Sequence, residues 1–306
     1  MARVTTTLIF FCILAGSAEA ASDFALQKVG DGVWAAIVSD EGKAGGNAGF
    51  VVGDSGVVVV DTFQDPEPAA AFLAEIRKIT NLPIRFVVNT HYHLDHVNGN
   101  DVFAAAGAVV ISHRNARAWI RTENIKMIDP PVTAEKKARV QSIALPELVY
   151  DSNLDLYLGS RRVNVRYYPG HTGGDSVVSV PDAHVVFCGD LLWKDHIPNL
   201  IDASTHEWIK TLDAMPADYG ESRWVPGHGG IADADDIRTF RKYLVDLRAA
   251  VSREQAAGKS GDALVQAILP GLKSNYGKWG FFDDLANAGI QQTAEELSGV
   301  KKLPGR

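Results

Sequence analysis

Residues 90–96 of this chain read THYHLDH, which brings three histidines and one aspartate into a single short stretch. In an extended segment His91 and His93 point to one side, and a turn after them can direct Asp95 and His96 towards a second point. Imidazole nitrogens together with a carboxylate suit zinc, iron and other borderline metals. A histidine-rich polar loop is the alternative interpretation, but nine histidines in 306 residues make such clustering hard to obtain by chance. The stretch therefore predicts a metal site.

The segments before this stretch read as strands and a helix of an α/β fold. The run Gly56–Asp61 is continuously apolar, as in a strand buried on both faces, and 54–56 is a typical hairpin turn. A helix is predicted to begin at Asp65-Pro66 and to end before Pro83. The strand Ile84–Val88 then leads directly into the histidines. Two earlier runs, Val33–Val38 and Ala48–Val52, are also predicted strands.

A similar strand-turn-strand pattern recurs in the second half of the chain. Ser176–Val180 and His184–Gly189 are apolar runs separated by the turn 181–183. The second run ends at Asp190, just as the earlier run ends at Asp61. The repetition suggests two similar α/β halves, although paired hairpins occur in many folds.

No linker or low-complexity tract divides residues 21–306, so they are predicted to form a single domain. Apolar residues at helical spacing indicate a long amphipathic helix near the C-terminus. They are Ile237, Phe240, Tyr243, Leu244, Leu247 and Val251. Residues 261–306 also look helical and add no chemical motif. We therefore expect one α/β domain with a C-terminal helical extension from about residue 232.

Three further candidate ligands lie at the ends of apolar runs. His171 follows 163–168, Asp190 ends the run 184–189, and His228 lies in a Pro-Gly-His motif. In α/β folds the groups at strand ends converge on one rim of the sheet, where sites form. Each residue alone is a weak signal, but together with the 90–96 stretch they are enough for two metal sites.

With these motifs the chain resembles the metallo-β-lactamase superfamily over about residues 45–230. The resemblance rests on His-x-His-x-Asp-His at 91–96, Pro-Gly-His-Thr at 169–172, Gly-Asp at 189–190 and Pro-Gly-His at 226–228. It implies an α/β fold (α+β in some schemes), a four-layer αβ/βα sandwich of two similar halves with the metals at one edge.

The resemblance also implies which residues bind two metal ions. The first ion would be bound by three imidazoles, and the second by a carboxylate and two imidazoles. The implied ligands are His91, His93 and His171 for the first ion and Asp95, His96 and His228 for the second, with Asp190 bridging both or binding the second. We expect two Zn²⁺ ions per chain, with iron or manganese as alternatives. Asp95 is also the candidate catalytic residue that orients a water.

Known branches of the superfamily match this chain in part. Lactamases with a cysteine ligand carry it where this chain has Asp190, and have arginine in place of His96. A third lactamase branch keeps the Asp-His pair but lacks the bridging aspartate. Glyoxalase II (hydroxyacylglutathione hydrolase) and the acyl-homoserine lactonases have the full set, as here. The flanking stretch 198–230, including Trp208, is more similar to the cysteine-ligand lactamases, so the two signals point to different substrates.

Several residues near the Gly-Asp motif are candidates for substrate contact. Trp193, Lys194 and Asn199 are candidate substrate-binding residues, because many relatives hold a substrate carboxylate with a lysine near this place. A solvated lysine is the alternative. His196 could also reach the site. The glycine-rich residues 40–47 correspond to a mobile flap over the metals in relatives, or form a plain hairpin.

Cys188, two residues before Asp190, is either a ligand or a core residue. On a regular strand it would share the face of Asp190, and a thiolate binds zinc well. A lone small thiol in an apolar strand is more often part of the core, and Asp190 already fills the expected ligand position. We therefore expect a core cysteine.

Charge and the N-terminus bear on partners and location. The formal net charge of −7 argues against a nucleic-acid partner. Arg3, the apolar run 8–16 and the small residues 18–20 read as a signal peptide over residues 1–20, with an uncleaved anchor as the alternative. Cys12 would leave with it. We expect a protein exported to the periplasm or secreted, with a small-molecule substrate and no stable membrane association.

The predicted chemistry is hydrolysis. Zinc lowers the pKa of a bound water to about 7, so a metal-bound hydroxide is available to attack a carbonyl carbon. We therefore expect a zinc-dependent, β-lactamase-like metallohydrolase that cleaves an amide, a lactam or a related carbonyl bond. A lactonase or a glyoxalase II-like thioesterase on the same dinuclear site is one alternative. A mononuclear iron oxygenase of the persulfide dioxygenase type is another.

Overall fold

Two β-sheets occupy the middle of the molecule in the computed structural model, which describes residues 22–39, 42–128 and 130–305. The predicted signal peptide, residues 1–20, lies outside these residues and stays a prediction. Within the described ranges the first sheet has seven strands in chain order. They are β1 (Phe24–Gly30), β2 (Val33–Val38), β3 (Ala48–Val52), β4 (Val57–Val60), β5 (Ile84–Val88), β6 (Val109–His113) and β7 (Leu148–Tyr150).

The second sheet is formed by the strands that follow in the chain. In the described residues it has five strands, in the spatial order β12-β11-β10-β9-β8. They are β8 (Asn153–Leu158), β9 (Arg161–Tyr167), β10 (Ser176–Val180), β11 (Val185–Trp193) and β12 (Arg223–His228).

The two sheets repeat one order of strand pairing. In the first sheet β1 to β4 pair antiparallel, and β5 then joins β4 in parallel. In the second sheet β8 to β11 pair antiparallel, and β12 joins β11 in parallel. The carboxyl ends of β4 and β5 therefore lie side by side, and so do those of β11 and β12. This repetition agrees with the two similar halves predicted from the sequence.

Alternation along the strands divides their side chains between two apolar layers. Val58 and Val60 of β4 belong to a buried cluster shared with Val163 and Val178 of the second sheet. Val57 of the same strand instead packs in a cluster with helix residues on the outer face. A strand with apolar residues on both faces reads as a continuous run, which is why GVVVVD has no polar alternation.

Helices cover the outer face of each sheet. The described helices are α1 (Pro66–Ile79), α2 (Leu94–Val97), α3 (Asn100–Ala105), α4 (Arg114–Trp119), α5 (Ala134–Ser142), α6 (Thr205–Tyr219), α7 (Ala234–Ala256), α8 (Gly261–Tyr276) and α9 (Phe282–Leu297). Phe72 of α1 packs with Phe50 against the first sheet. Trp208 of α6 and Phe240 of α7 belong to the core over the second sheet. The layers are thus helix, sheet, sheet, helix, which confirms the predicted fold.

The C-terminal extension continues the helical layer over the second sheet. Phe282 and Ile290 of α9 and Leu264 of α8 lie in the same buried cluster as Phe240 of α7. In the part of the chain that the structure describes, none of the helices combines the length and the apolar character that crossing a membrane would require.

Two predicted strands have different bounds in the structure, for reasons of backbone conformation. The first ends at Val60 because Asp61 takes a left-handed φ of 58°. The second does not include His184, whose φ is 52°, and it continues beyond Gly189 to Trp193. Asp190 is therefore an internal residue of β11 rather than its end.

Candidate metal centre

The backbone of the stretch 90–96 changes from extended to helical after His93, between the first two histidines and the Asp95-His96 pair. It follows the buried strand β5, and His93 keeps extended dihedrals as the residue preceding α2. Asp95 and His96 lie in that four-residue helix, which begins at Leu94. The helical turn separates these two side chains from His91 and His93, as the spacing predicted.

The other three candidates come from the second sheet. His171 lies in the loop between β9 and β10, Asp190 lies within β11, and His228 is the last residue of β12. In two of the motifs, the glycine position has no room for a side chain. A Cβ at Gly189, whose φ is 50°, would collide with the Thr90 hydroxyl, and one at Gly227 would collide with the carboxylate of Asp190.

All seven predicted ligands come together in two groups. The first contains His91, His93, His171 and Asp190, and the second contains Asp95, His96, His228 and Asp190. In each group the candidate ligand atoms lie within 4.8 Å of one another.

The carboxylate of Asp190 belongs to both groups. Its Oδ2 lies 3.2 Å from His171 Nε2 and 3.6 Å from His91 Nε2. Its Oδ1 lies 3.0 Å from His96 Nε2 and 3.4 Å from His228 Nε2. One oxygen therefore faces each group, which suits a ligand shared between two ions.

Several buried polar atoms of the cluster lack a hydrogen-bond partner, as expected for metal ligands. Among the described residues, the Nε2 atoms of His91, His96 and His228 and Oδ1 of Asp190 are buried without a hydrogen-bond partner. Buried polar atoms are normally paired. In the first group His93 Nδ1 faces His171 Nε2 at 2.9 Å. Several nitrogen atoms and a carboxylate that converge in this way form the donor set expected for zinc or iron.

Two imidazoles of the first group, those of His91 and His171, are held neutral. Burial lowers the pKa of His91 well below its usual value. Burial also lowers the pKa of His171 to about 3, against the opposing effect of Asp190. Neutral imidazoles keep the lone pair that metal binding requires.

In the second group, the negative charge of the carboxylates determines the direction of the pKa shift of His228. Burial opposes the charge of Asp190, but the surrounding imidazoles, led by His228, hold the pKa of its carboxyl well below the usual range. Burial likewise opposes protonation of His228, but Asp190 and Asp95 raise its pKa to about 9. The buried negative charge therefore needs compensation, which protons or a divalent cation supply.

Asp61 contacts His96 on the ring nitrogen that faces away from the site. The sequence analysis did not single it out as a functional residue. Its carboxylate accepts hydrogen bonds from the Thr90 backbone N–H at 2.7 Å and from the Thr90 hydroxyl at 2.6 Å. Its Oδ2 also lies 2.9 Å from His96 Nδ1. A partner on Nδ1 fixes the ring so that Nε2 faces the site. The available signal was in the sequence, where Asp61 ends the apolar run 56–60 as Asp190 ends the run 184–189.

Asp202 is a second supporting residue that the sequence did not reveal. Its Oδ2 lies 3.5 Å from His93 Nε2 and accepts a short hydrogen bond from the Tyr92 hydroxyl. Lys126 Nζ donates to the other oxygen at 2.6 Å. With Nε2 of His93 on the side of this carboxylate, Nδ1 of the same ring faces the site, 2.9 Å from His171 Nε2. No local motif marks Asp202, because its partners are far away in the chain.

A cavity of about 820 Å³ opens beside the metal groups. Trp193, His196 and Asn199 line it, together with Asp95 and His228. The Trp193 ring stacks on the His228 ring with 3.8 Å between centroids. The cavity size is that of a site for a small molecule.

Lys194 is the predicted substrate residue that the structure does not bring to the cavity. Its Nζ donates to the Ile231 carbonyl at 2.9 Å and to Asp236 at 2.8 Å. The ammonium is therefore paired at the start of α7. The expectation that Lys194 anchors a substrate carboxylate has no support in this geometry, because its ammonium is already paired and Trp193, the last residue of β11, is the one that lines the cavity.

Cys188 lies in the core, as expected. The side chain is buried in the cluster beneath α6 and α7, and Sγ donates to the Val225 carbonyl at 3.4 Å. Burial raises the pKa of the thiol, and the charge of Asp190 raises it further. The left-handed Gly189 interrupts the alternation of β11, so Cys188 and Asp190 do not share a face.

Hydrogen bonds from Asn47 attach the described part of the glycine-rich loop, residues 42–47, to the segment around His228. Asn47 donates from Nδ2 to the carbonyls of Pro226 at 2.9 Å and Gly229 at 2.8 Å, on either side of His228. Gly42 and Gly45 line the cavity, so the loop forms part of its rim. Residues 40 and 41 lie outside the described part.

Comparisons with known proteins agree with this fold. The sequence model of the metallo-beta-lactamase superfamily matches residues 42–238. A metallo-beta-lactamase type 2 from Pseudomonas aeruginosa is 24% identical over 78% of this chain and 92% of its own length. A linear primary-alkylsulfatase from a Pseudomonas species is 22% identical over 72% of this chain, which spans about half of that relative (49%). The structure of a metallo-beta-lactamase from Pontibacter korlensis matches with a TM-score of 0.61 and 21% identity, covering 72% of this chain and 99% of that one.

Proposed function

This chain belongs to the metallo-beta-lactamase superfamily of hydrolases, and from that membership we propose that it hydrolyses a lactam or a related carbonyl bond with two zinc ions. The observation that carries the dinuclear centre is the shared position of Asp190, and the similarity to a metallo-beta-lactamase type 2 over 92% of that relative's length favours the lactam. One carboxylate within 3.0–3.6 Å of four imidazole nitrogens has the geometry of a bridge between two cations.

The ions would be held by the two groups already described. His91, His93 and His171 would hold the first and Asp95, His96 and His228 the second, with Asp190 between them. When bound, such ions polarise a carbonyl group and make water a nucleophile at neutral pH. Asp61 and Asp202 keep the imidazoles aligned, so that little reorganisation is required during turnover.

Asp95 is the proposed catalytic carboxylate of this chain. It lines the cavity, and its side chain is 22% exposed, whereas that of Asp190 is 2% exposed. A carboxylate that faces the cavity can orient a water and accept its proton. Trp193 supports the neighbouring His228 by stacking and also lines the cavity.

Lactone or thioester hydrolysis is the second candidate function. The observation that favours it is the carboxylate of Asp190 in a position shared by both groups, since glyoxalase II and the lactonases resemble the chain in having the full ligand set. An iron oxygenase on the same residues is a third possibility, which metal analysis distinguishes from the other two.

Metal content and turnover measured on the same preparation test these proposals. We expect about two zinc ions per chain and hydrolysis of nitrocefin. The panel also contains an acyl-homoserine lactone, a thioester and a primary alkyl sulfate. His91→Ala should lose metal and turnover, whereas His206→Ala is the matched control, because His206 is an exposed histidine of α6 away from the cluster. One iron and no zinc in freshly purified protein would contradict the zinc hydrolase.

A further inference from the structure

The C-terminal extension builds one wall of the cavity, although it lies beyond residues 42–238 that match the family. Phe281, Asp284 and Leu285 of the α9 region line the same cavity as Asp95 and His228. Residues 261–306 therefore contribute to the cavity, although their sequence contains no chemical motif.

Backbone hydrogen bonds hold this wall at a fixed distance from the metal groups. The Gly280 N–H donates to the Asp195 carbonyl at 2.8 Å, and the Ile197 N–H donates to the Gly280 carbonyl at 2.9 Å. The segment 195–197 begins two residues after the end of β11, the strand that carries Asp190. The residue after Gly280 is therefore positioned by the same strand that positions the candidate bridging ligand.

Phe281 has a conformation that packing alone does not explain. Its φ is 60°, in a left-handed region that is rare for a bulky residue. Its side chain is 43% exposed, whereas the next residue, Phe282, is 4% exposed and supplies the core contact. Strained residues of this kind tend to cluster at ligand sites.

The Phe281 ring adjoins the rings that border the metal groups. Its centroid lies 5.2 Å from that of His196, 6.0 Å from that of Trp193 and 6.1 Å from that of His228. Apolar Met127 and Ile128 also line the cavity. With Lys194 paired to Asp236, Phe281 and Leu285 offer apolar contact to a ligand in this part of the cavity, beside the carboxylate of Asp284.

We propose that Phe281 is a specificity-determining residue, which selects substrates that carry an aryl or alkyl group a few bonds from the scissile carbonyl. The inference rests on the proposed function for the identity of the reacting bond. The contact itself requires only that a ligand occupy the metal groups and extend into the cavity.

Two hydroxamates test this contact without turnover. Acetohydroxamic acid and 4-phenylbutanohydroxamic acid share one metal-binding group and differ in the phenylalkyl tail. Binding of both to the zinc-loaded protein is measured by calorimetry. We expect the wild type to prefer the phenyl compound, and Phe281→Ala to reduce that preference about tenfold. Phe281→Tyr, which keeps the ring, should retain it within about twofold.

A matched control and a second readout separate a local effect from misfolding. Tyr157→Ala removes an exposed aromatic ring of β8 that does not line the cavity, and should leave the preference unchanged. Zinc content and circular dichroism of Phe281→Ala should equal those of the wild type. A preference that survives in Phe281→Ala would overturn the proposal. So would failure of the zinc-loaded wild type to bind either hydroxamate, since no ligand site would then adjoin the ring.

Hydrolysis distinguishes failure of this inference from failure of the proposed function. Benzylpenicillin and 6-aminopenicillanic acid share one lactam and differ in the benzyl group, and we expect Phe281→Ala to raise KM about tenfold for the first alone. If the wild type hydrolyses neither of these nor the rest of the panel, the proposed function fails. A lost hydroxamate preference would still uphold the role of Phe281.

Discussion

Asp190 is the residue on which the metal centre depends most. Its buried carboxylate faces four imidazoles, and no other described carboxylate is shared by both ligand groups. A buried carboxylate without positive partners would be strongly destabilising. The need for compensating charge makes the effect of neutralising this residue predictable.

We expect Asp190→Asn to weaken the second metal site most. The amide keeps the size of the side chain but removes its negative charge, while His91, His93 and His171 can still bind one ion. Turnover should fall by a factor on the order of 100 or more. Metal titration and turnover on the same preparation check this, with Asp283→Asn as the control for an exposed aspartate. Two tightly bound ions with full turnover would show that Asp190 is not a ligand.

Cys188→Ala should affect stability and not metal binding. Removing the buried sulfur leaves a small cavity and should lower the free energy of unfolding by about 1 kcal/mol. The zinc content should stay at the wild-type value, because the thiol packs in the core. Urea unfolding and elemental analysis measure the two quantities. Loss of one metal equivalent from the folded variant would make Cys188 a ligand after all.

At the scale of elements, α9 completes the start of α6. Glu296 of α9 accepts hydrogen bonds from the Thr205 N–H at 3.0 Å, the Thr205 hydroxyl at 2.6 Å and the His206 N–H at 3.1 Å. Arg248 of α7 donates to the same carboxylate at 3.0 Å. A carboxylate at a helix N-terminus satisfies free N–H groups and interacts favourably with the helix dipole. The extension is thereby joined to the second half of the domain.

This contact should make stability depend on pH in the acid range. Burial opposes the charge of Glu296, but the hydrogen bonds from Thr205 and His206 and the charge of Arg248 lower the pKa of its carboxyl below the usual value. Its contribution is therefore complete above the unfolded pKa of about 4.3 and is lost as pH falls through the lower folded value.

Glu296→Gln measures this contribution. We expect a loss of about 1–2 kcal/mol in the free energy of unfolding at pH 7, and a smaller difference from the wild type below about pH 4. Urea unfolding of both proteins across this range is the measurement. Glu295→Gln is the control for an exposed neighbour. A difference that does not change with pH would indicate packing rather than charge as the cause.

At the scale of the whole molecule, the metal centre joins the two sheets. The stretch 90–96 extends from the first sheet, whereas His171, Asp190 and His228 belong to the second. The Asn47 side chain adds hydrogen bonds to backbone carbonyls of the other half at the same edge. Binding of metal is therefore coupled to the packing of the two halves.

Metal removal should destabilise the entire fold. A ligand that binds only the folded state, at a thousand times its dissociation constant, adds about 4 kcal/mol. We expect zinc to raise the midpoint of urea unfolding in one cooperative transition, and a chelator to lower it. Asp190→Asn should show a smaller response. An unchanged midpoint with and without zinc would mean that the groups do not bind it.

Export is predicted from residues 1–20 of the sequence. We expect the mature protein to begin at Ala21 and to fractionate outside the cytoplasm, because residues 1–20 have the pattern of a signal peptide. N-terminal sequencing of the protein recovered from its source checks this. Intact residues 1–20 in the membrane fraction would instead indicate an anchor.

The sequence alone was enough to predict the fold class and the seven metal-ligand candidates. Ligand chemistry is carried by residue type, and the strands that deliver these residues are short apolar runs, so both signals are local in the chain. The bulged glycine before Asp190 and the left-handed Asp61 shifted strand bounds without moving the candidate ligands out of the site.

Only the tertiary structure decided which other residues take part. Asp202 orients His93 from more than a hundred residues away, and Phe281 reaches the cavity because a turn is hydrogen-bonded to 195–197. Lys194 is kept away from the cavity by its ion pair with Asp236 of α7. These roles depend on long-range pairing and on the direction of each side chain, which neither periodicity nor a local motif encodes.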